Sequence, residues 1–337
     1  MNDIMLRVEN LSTSFFTHLG EVKAVRGVSF TVQKGEVLGI VGESGSGKSI
    51  TALSILQLLK HPGKVISGRV LFKGESLLDK PEKQMRAMRG NQLSMIFQDP
   101  MTSLNPTLTV GEQVMEMIRV HQTVDRGLAR KKALELFDWV KIPSPRERLN
   151  CYPHEFSGGM RQRVMIAMAL CCDPELIIAD EPTTALDVTI QEQILKLLRS
   201  IQGRLNSSIV LITHDLGVIA ELADRILVMY GGMIMEEAPV EDIFYRPRHP
   251  YTVGLLESIP QIEGHARRRL IPIPGSPPDM LKPPAGCPFA PRCAAAMRIC
   301  FEKSPEYSKS KRSRAMCWLW HPQAPPSAIF DRWRKGA

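Results

Sequence analysis

The sequence predicts an α/β fold built on a parallel sheet, followed by a proline- and cysteine-rich extension. Three observations predict it. Short apolar runs, EVLGIVG (36–42), LIIAD (176–180) and SIVLITH (208–214), alternate with helix-like stretches. A glycine- and serine-rich loop separates the first of these runs from the helix-like segment ITALSILQLL (50–59). After about residue 235 the texture changes, and nine prolines fall in the 32 residues from Pro260 to Pro291, a density that excludes a continuous helix.

Taken in order, the chain opens with alternating apolar residues (Leu6, Val8) and a strand-like run, VRGVSFTV (25–32). EVLGIVG reads as a buried parallel strand because it is apolar throughout and bounded by glycine. Residues around 80 to 157 are rich in Met, Gln, Arg and helix formers, as in QVMEMIRVHQ (113–122) and RKKALELFDWV (130–140). They are expected to form a helical subdomain inserted in the sheet domain. Helix-like TIQEQILKLLRSIQ (189–202) lies between the two later strands. The chain has 337 residues, 44% hydrophobic and 23% charged, enough for a proper core and an appendage. No stretch approaches 18 consecutive apolar residues, and the start, MNDIMLRVEN, lacks signal-peptide features. The expected location is the cytoplasm, so work at a membrane would require docking on other subunits.

The net charge of +8 sits entirely in the tail: from Lys282 onward eleven Lys/Arg face only Glu302, Glu306 and Asp331. Nucleic acid, anionic lipid or an anionic cofactor could use such a tail, but composition alone favours a solvated basic surface.

Four motifs carry chemistry. Gly42-Glu43-Ser44-Gly45-Ser46-Gly47-Lys48-Ser49 fits the phosphate-binding loop G-x-x-x-x-G-K-[ST], with strand before and helix after. Glycines let backbone N–H groups converge on phosphate oxygens, and the helix adds its positive end. Lys48 would bind the β/γ-phosphates and Ser49 would bind Mg²⁺. LIIADEP ends a strand in two acids: Asp180 is placed to hold Mg²⁺ and Glu181 to polarise the attacking water. His214 ends another strand, where ligands of parallel sheets bind, and is expected beside Asp180 and the loop, sensing the γ-phosphate. Ser157-Gly158-Gly159 opens a helix-like run and is a second anion-binding surface. One nucleotide does not need two cradles, which points to dimerisation.

In this order the motifs resemble those of ABC ATPases, over roughly residues 5 to 250. GESGSGKS is similar to Walker A, Gln98 in IFQDP to the Q-loop glutamine, and FSGGM to the signature LSGGQ. LIIADE is similar to Walker B with its catalytic glutamate, ALD (185–187) to the D-loop, and His214 to the switch histidine. Phe15 or Phe16 resembles the aromatic that stacks on adenine, with a buried core Phe the equal alternative. The resemblance implies a P-loop NTPase core, catalysis by Glu181, His214 and Gln98, and Mg²⁺ held by Ser49, Gln98 and Asp180. It also implies a head-to-tail dimer in which Walker A of one subunit and the signature of the other clasp one ATP. The signature departs from the family pattern at Phe156 and Met160, and Met160 offers no amide hydrogen bond.

The tail resembles the oligopeptide/dipeptide (peptide/nickel) importer branch in RPRHPYT (246–252), IPGSPPDML (273–281) and GCPFAPRC (286–293). QDPMTSLNP (98–106) and DEPTTALDVTIQ (180–191) fit the same branch. The implied division is an ATPase domain over 1–250, with the helical subdomain at about 90–165, and an extension over 251–337. Cys287, Cys293, Cys300 and Cys317 have the spacing C-x5-C-x6-C-x16-C. Four thiolates suit a [4Fe–4S] cluster or zinc, zinc favouring tighter pairs, and buried free cysteines are the remaining alternative. The branch implies a [4Fe–4S] cluster; the role expected of it is structural, a staple for a proline-rich tail too thin to form its own core, with redox sensing the alternative. It further implies a second ATPase subunit (homo- or, favoured, heterodimer), two membrane permease subunits, indirectly a solute-binding protein, and a place on the cytoplasmic face of the cell membrane. The competing reading is a soluble ABC ATPase acting on nucleic acid or ribosomes. The chain lacks the second cassette or long coiled coil typical of those, and shows no aromatic-interleaved basic stripe. A non-catalytic regulator is disfavoured by the intact Glu181 and His214.

Overall fold

A computed structural model describes residues 3–184, 186–259 and 272–334. Twelve strands are present among them: β1 Ile4–Thr17, β2 Gly20–Gln33, β3 Val37–Val41, β4 Gly63–Phe72, β5 Glu75–Ser76, β6 Leu93–Ile96, β7 Leu176–Asp180, β8 Ser208–Thr213, β9 Arg225–Tyr230, β10 Met233–Pro239, β11 Ser308–Lys309 and β12 Arg314–Ala315. The chain divides into two compact units. The first takes in the described parts of Met1–Leu6, Val32–Val37 and Phe72–Ile212, and the second those of Arg7–Thr31, Leu38–Leu71 and Thr213–Ala337.

In the first unit β6, β7 and β8 run parallel, with Leu93 opposite Leu176 and Leu176 opposite Ser208. Every residue of β7 is buried, as expected of a strand covered on both faces. β6 lies inside the stretch expected to be helical. Its four residues, LSMI, are too few to show a period, and three are buried beside β7. Helices Val110–His121, Arg126–Trp139 and Gly158–Leu170 follow, packed on one another before the chain enters β7. The first begins at Thr109, whose hydroxyl accepts the Glu112 N–H at 3.2 Å, and buries Val114, Met115 and Ile118 on one face. Helix Val188–Leu205 is capped by Asp187, which accepts the Ile190 N–H at 2.9 Å, and ends at Asn206 in the left-handed conformation.

In the second unit most of β1, β2 and β4 forms a sheet of order β2-β1-β4. A second sheet has the order β11-β12-β10-β9-β3. β3 and β9 are parallel, while β9 and β10 form an antiparallel hairpin closed by Gly231-Gly232, both at positive φ. This hairpin, RILVMYGGMIMEEAP, is absent from the expectations, although its apolar runs around a Gly-Gly turn are a hairpin signal. The tail adds β12 to the edge of β10, with Ala315 opposite Glu236. Three tail arginines are paired within the chain: Arg292 with Glu43, Arg298 with Glu302, and Arg314 with Glu237. Part of the basic tail is therefore an internal fastening as well as a surface. Among the described residues no helix is long and apolar enough to cross a membrane.

The start of helix Pro250–Glu257 is organised around Glu236 of β10, which is 0% exposed. Its carboxylate accepts the backbone N–H of Arg248 at 2.6 Å, that of His249 at 2.9 Å, and the Thr252 hydroxyl at 2.5 Å. His249 is buried and pushed down to about 3 by that burial, so it stays neutral, and its Nδ1 accepts the Tyr251 N–H at 3.0 Å. Burial lifts Glu236 from 4.5 to about 7, against the pull of Thr252 and the two backbone donors. A carboxyl raised on folding contributes stability that is complete below pH 4.5 and lost as pH rises through about 7. The loss is on the order of 3 kcal/mol. Glu236→Gln, which cannot titrate, is expected to remove that slope from urea-unfolding midpoints measured between about pH 5 and about pH 8. An unchanged slope in the variant contradicts the assignment.

Candidate functional site

The loop between β3 and helix Lys48–Ile55 lies in the second unit, and its backbone shape depends on glycine at three positions, two of them also by close contact. Gly42 has φ +155°, and a Cβ there would stand 2.1 Å from the Met229 carbonyl oxygen. Gly47 has φ +100°, and a Cβ there would stand 2.6 Å from the Ala24 carbonyl oxygen. Both positions thus exclude side chains by contact with backbone, which leaves the loop lined by its own main chain. Gly45 (φ +76°) faces open space and needs glycine for its conformation alone. Lys48 is buried at the helix start and donates to the carbonyls of Gly42 (2.8 Å) and Glu43 (3.0 Å). Ser44 and Ser46 lie within the loop, and Ser49 is the second residue of the helix. A cradle closed to Cβ atoms, followed by a helix N-terminus and a lysine, fits a nucleotide's phosphates.

The acidic strand end lies in the first unit. Asp180 is the last residue of β7 and is buried. Glu181 follows with φ +47°, a left-handed turn unusual for a residue with a side chain, and its N–H donates to the Ile212 carbonyl at 2.9 Å. Its Oε2 accepts from Gln98 Nε2 at 3.0 Å and from the Thr184 hydroxyl at 2.8 Å. Two of the expected catalytic residues, 83 positions apart, are therefore in direct contact. Thr184 was not expected; its sign is only the spacing Glu-x-x-Thr after the strand. A carboxylate held by an amide and a hydroxyl is oriented to accept a proton from water on its remaining lone pairs.

Ser157 N-caps helix Gly158–Leu170, its hydroxyl accepting the Met160 N–H at 3.4 Å. A Cβ on Gly159 would come within 2.7 Å of the Ile190 side chain, and one on Gly158 within 3.7 Å of Leu186. The signature glycines therefore adjoin the segment that follows Glu181. Phe156, the departure from leucine, is buried with the Arg148 guanidinium 5.6 Å from its ring centroid. Of the expected ALD segment, Ala185 lies outside the described residues. His214 directly follows β8 and is exposed. Phe15 is half-buried against Gly63, where a Cβ would meet its ring at 2.7 Å, so it has a packing partner. Phe16 is 49% exposed.

Cys287, Cys293, Cys300 and Cys317 line one cavity of about 20 Å³ together with His249 and Phe289. Burial pushes the Cys287 and Cys317 thiols up to about 12, and the neighbouring cysteines oppose their ionisation further. Among the described residues no group of three or more His, Cys, Asp or Glu side chains is arranged to hold a metal ion. The four thiols share a pocket but, as placed, do not form a ligand set.

Residues 25–184 match the family described as ABC transporter, and residues 235–300 the oligopeptide/dipeptide transporter C-terminal region. The oligopeptide transport ATP-binding protein OppD of Bacillus subtilis (strain 168) is 52% identical, covering 98% of this chain and 94% of its own. The dipeptide transport ATP-binding protein DppD of the same organism is 54% identical over 94% of each. A dimeric post-hydrolysis structure of the ATP-binding cassette MJ0796 bound to ADP and phosphate superposes with a TM-score of 0.64. It is 28% identical and covers 70% of this chain and 99% of its own. The fold and the phosphate loop define an ABC-type ATP-binding cassette. The chain belongs to the ABC transporter family, in the branch of oligopeptide and dipeptide transport ATP-binding proteins.

Proposed function

We propose that this chain is the ATP-hydrolysing subunit of a membrane importer for di- or oligopeptides. The observation that carries the reading is the likeness, over nearly the whole chain and including the tail, to ATP-binding proteins of peptide transport. The roles follow from the residues. Backbone N–H groups of 42–47 with Lys48 take the phosphates, and Ser49, Asp180 and Gln98 take Mg²⁺. Glu181 accepts the proton of the attacking water, and His214 reads the γ-phosphate. Ser157, Gly158 and Gly159 present a helix N-terminus to the nucleotide of a second ATPase subunit, with a heterodimer favoured. Phe15 is the candidate adenine contact.

Residues 1–250 form the ATPase domain, with helices at about 90–165 as the subdomain that couples to two permease subunits, and 251–337 form the extension. The chain then works peripherally at the cytoplasmic face of the membrane, served indirectly by a solute-binding protein. The nucleic-acid reading loses its main support, since the tail's Arg292 and Arg314 are paired internally. Glu181→Gln is expected to bind ATP at least as tightly and to lose turnover by more than about a hundredfold. Retained turnover in a steady-state phosphate-release assay removes Glu181 as the base.

The four-cysteine pocket is the proposed seat of the [4Fe–4S] cluster. Its support is the convergence of four thiols, scattered through the tail, on one cavity. As placed, the thiols form no metal-ligand group, so a loaded site needs them rearranged. Anaerobic purification is expected to yield about four iron and four sulfide per chain. One zinc per chain, or no metal, contradicts the cluster.

A further inference from the structure

The phosphate loop contains a carboxylate, Glu43, immediately after Gly42. A negative charge in a loop that receives phosphates opposes binding, at close range by an energy that grows as water is excluded. Glu43 is met by Arg292 from the C-terminal segment, 249 residues further along the chain. The contact is bidentate: Nη1 donates to Oε2 at 2.6 Å and Nη2 to Oε1 at 3.1 Å. Arg292 also donates from Nη1 to the Tyr230 hydroxyl (3.0 Å), from Nη2 to the Ile273 carbonyl (3.1 Å) and from Nε to the Pro274 carbonyl (2.8 Å). All five donors of the guanidinium are thereby used. The arginine side chain is 5% exposed and that of Glu43 25% exposed. Burial opposes the charge on Arg292, but its bonds to Glu43 and Tyr230 prevail and hold its pKa above the usual value.

The surroundings make this arrangement rigid. The Glu43 N–H donates to the Tyr251 hydroxyl at 2.8 Å. Tyr230, Tyr251 and Phe289 pack ring against ring, with centroids 4.6 to 5.4 Å apart. At the far side of the loop the Ser46 carbonyl accepts the Gly232 N–H at 3.1 Å. The loop is thus tethered at residue 43 by the tail and at residue 46 by the β9–β10 hairpin.

We infer that Arg292 is a positioning residue of the nucleotide site: it neutralises Glu43 and holds that carboxylate away from the bound phosphates, so that the C-terminal segment sets the affinity of the loop for ATP. This rests on the reading of residues 42–49 as the ATP phosphate loop. Arg292 touches neither substrate nor metal and acts only through Glu43.

The test is Mg·ATP affinity by equilibrium titration, with KM and kcat for hydrolysis, on the full chain. Arg292→Gln exposes the unpaired carboxylate and is expected to raise both the ATP dissociation constant and KM roughly tenfold, with kcat within about twofold. Adding Glu43→Gln to that variant removes the charge and is expected to restore most of the affinity. A tail residue with a merely structural role predicts the reverse, a double variant as weak as the single one or weaker. Arg292→Lys, which keeps the charge without the fork, is expected to stay within about threefold of the parent and serves if Arg292→Gln does not fold. Unchanged affinity in Arg292→Gln, a double variant without recovery, or a tenfold loss in Arg292→Lys overturns the inference. Lys48→Ala separates the two readings: if it still binds and hydrolyses ATP, the phosphate-loop reading fails; if it does not, while Arg292→Gln is unaffected, the inference alone fails.

Discussion

The second unit depends on how closely the backbone of residues 42–47 approaches its neighbours. At Gly42 and Gly47 the space that a Cβ would need is taken by the carbonyl oxygens of Met229 and Ala24. No side chain can substitute there without displacing β9 or β2. The same closeness leaves the loop with a surface made of main chain, and a main-chain surface is what a phosphate group can be bound by. The constraint explains the sequence around it. β3 must be short, apolar and buried to deliver Gly42 at its end, and helix Lys48–Ile55 must start at once, with Lys48 turned back over the loop.

The C-terminal tail, whose sequence is dense in proline, meets a different problem. A segment dense in proline cannot build helices or strands long enough to bury a core of its own. The described residues that follow it lean on the sheet of the second unit instead. β12 pairs with β10, Arg314 binds Glu237, and the Trp320 indole N–H donates to the Arg248 carbonyl at 2.6 Å. The buried Glu236 orders the turn that sends Tyr251 to the phosphate loop. The tail is held by the sheet edge it extends, and in turn its aromatic and arginine side chains shape the loop.

Where the candidate site's motifs fall in the fold is legible in the sequence because each motif is local. A phosphate loop, a strand ending in Asp-Glu and a Ser-Gly-Gly helix start each span fewer than ten residues, and each lies on the expected element. What was not legible depends on contacts distant in sequence. Nothing in IFQDP announces that Gln98 meets Glu181, except the resemblance, and nothing local points to Thr184 as its second partner. Tyr251 and Arg292 belonged to recognisable tail segments, yet their target at residue 43 appears only when the chain is folded. β6 is hidden because four residues carry no period, and the only local sign of β9 and β10 is the Gly-Gly pair between two apolar runs. The cysteine spacing suggested a ligand set, whereas the fold brings the four thiols to one cavity without ligand geometry.

A cassette that drives a membrane importer must be bound to membrane subunits. The most direct measurement is affinity isolation of the tagged chain from detergent-solubilised native membranes, with every co-purifying protein identified. Recovery of two polytopic membrane subunits together with an ATPase partner is expected. Isolation of the chain wholly from the soluble fraction, with ribosomes, nucleic acid or no partner, would contradict it.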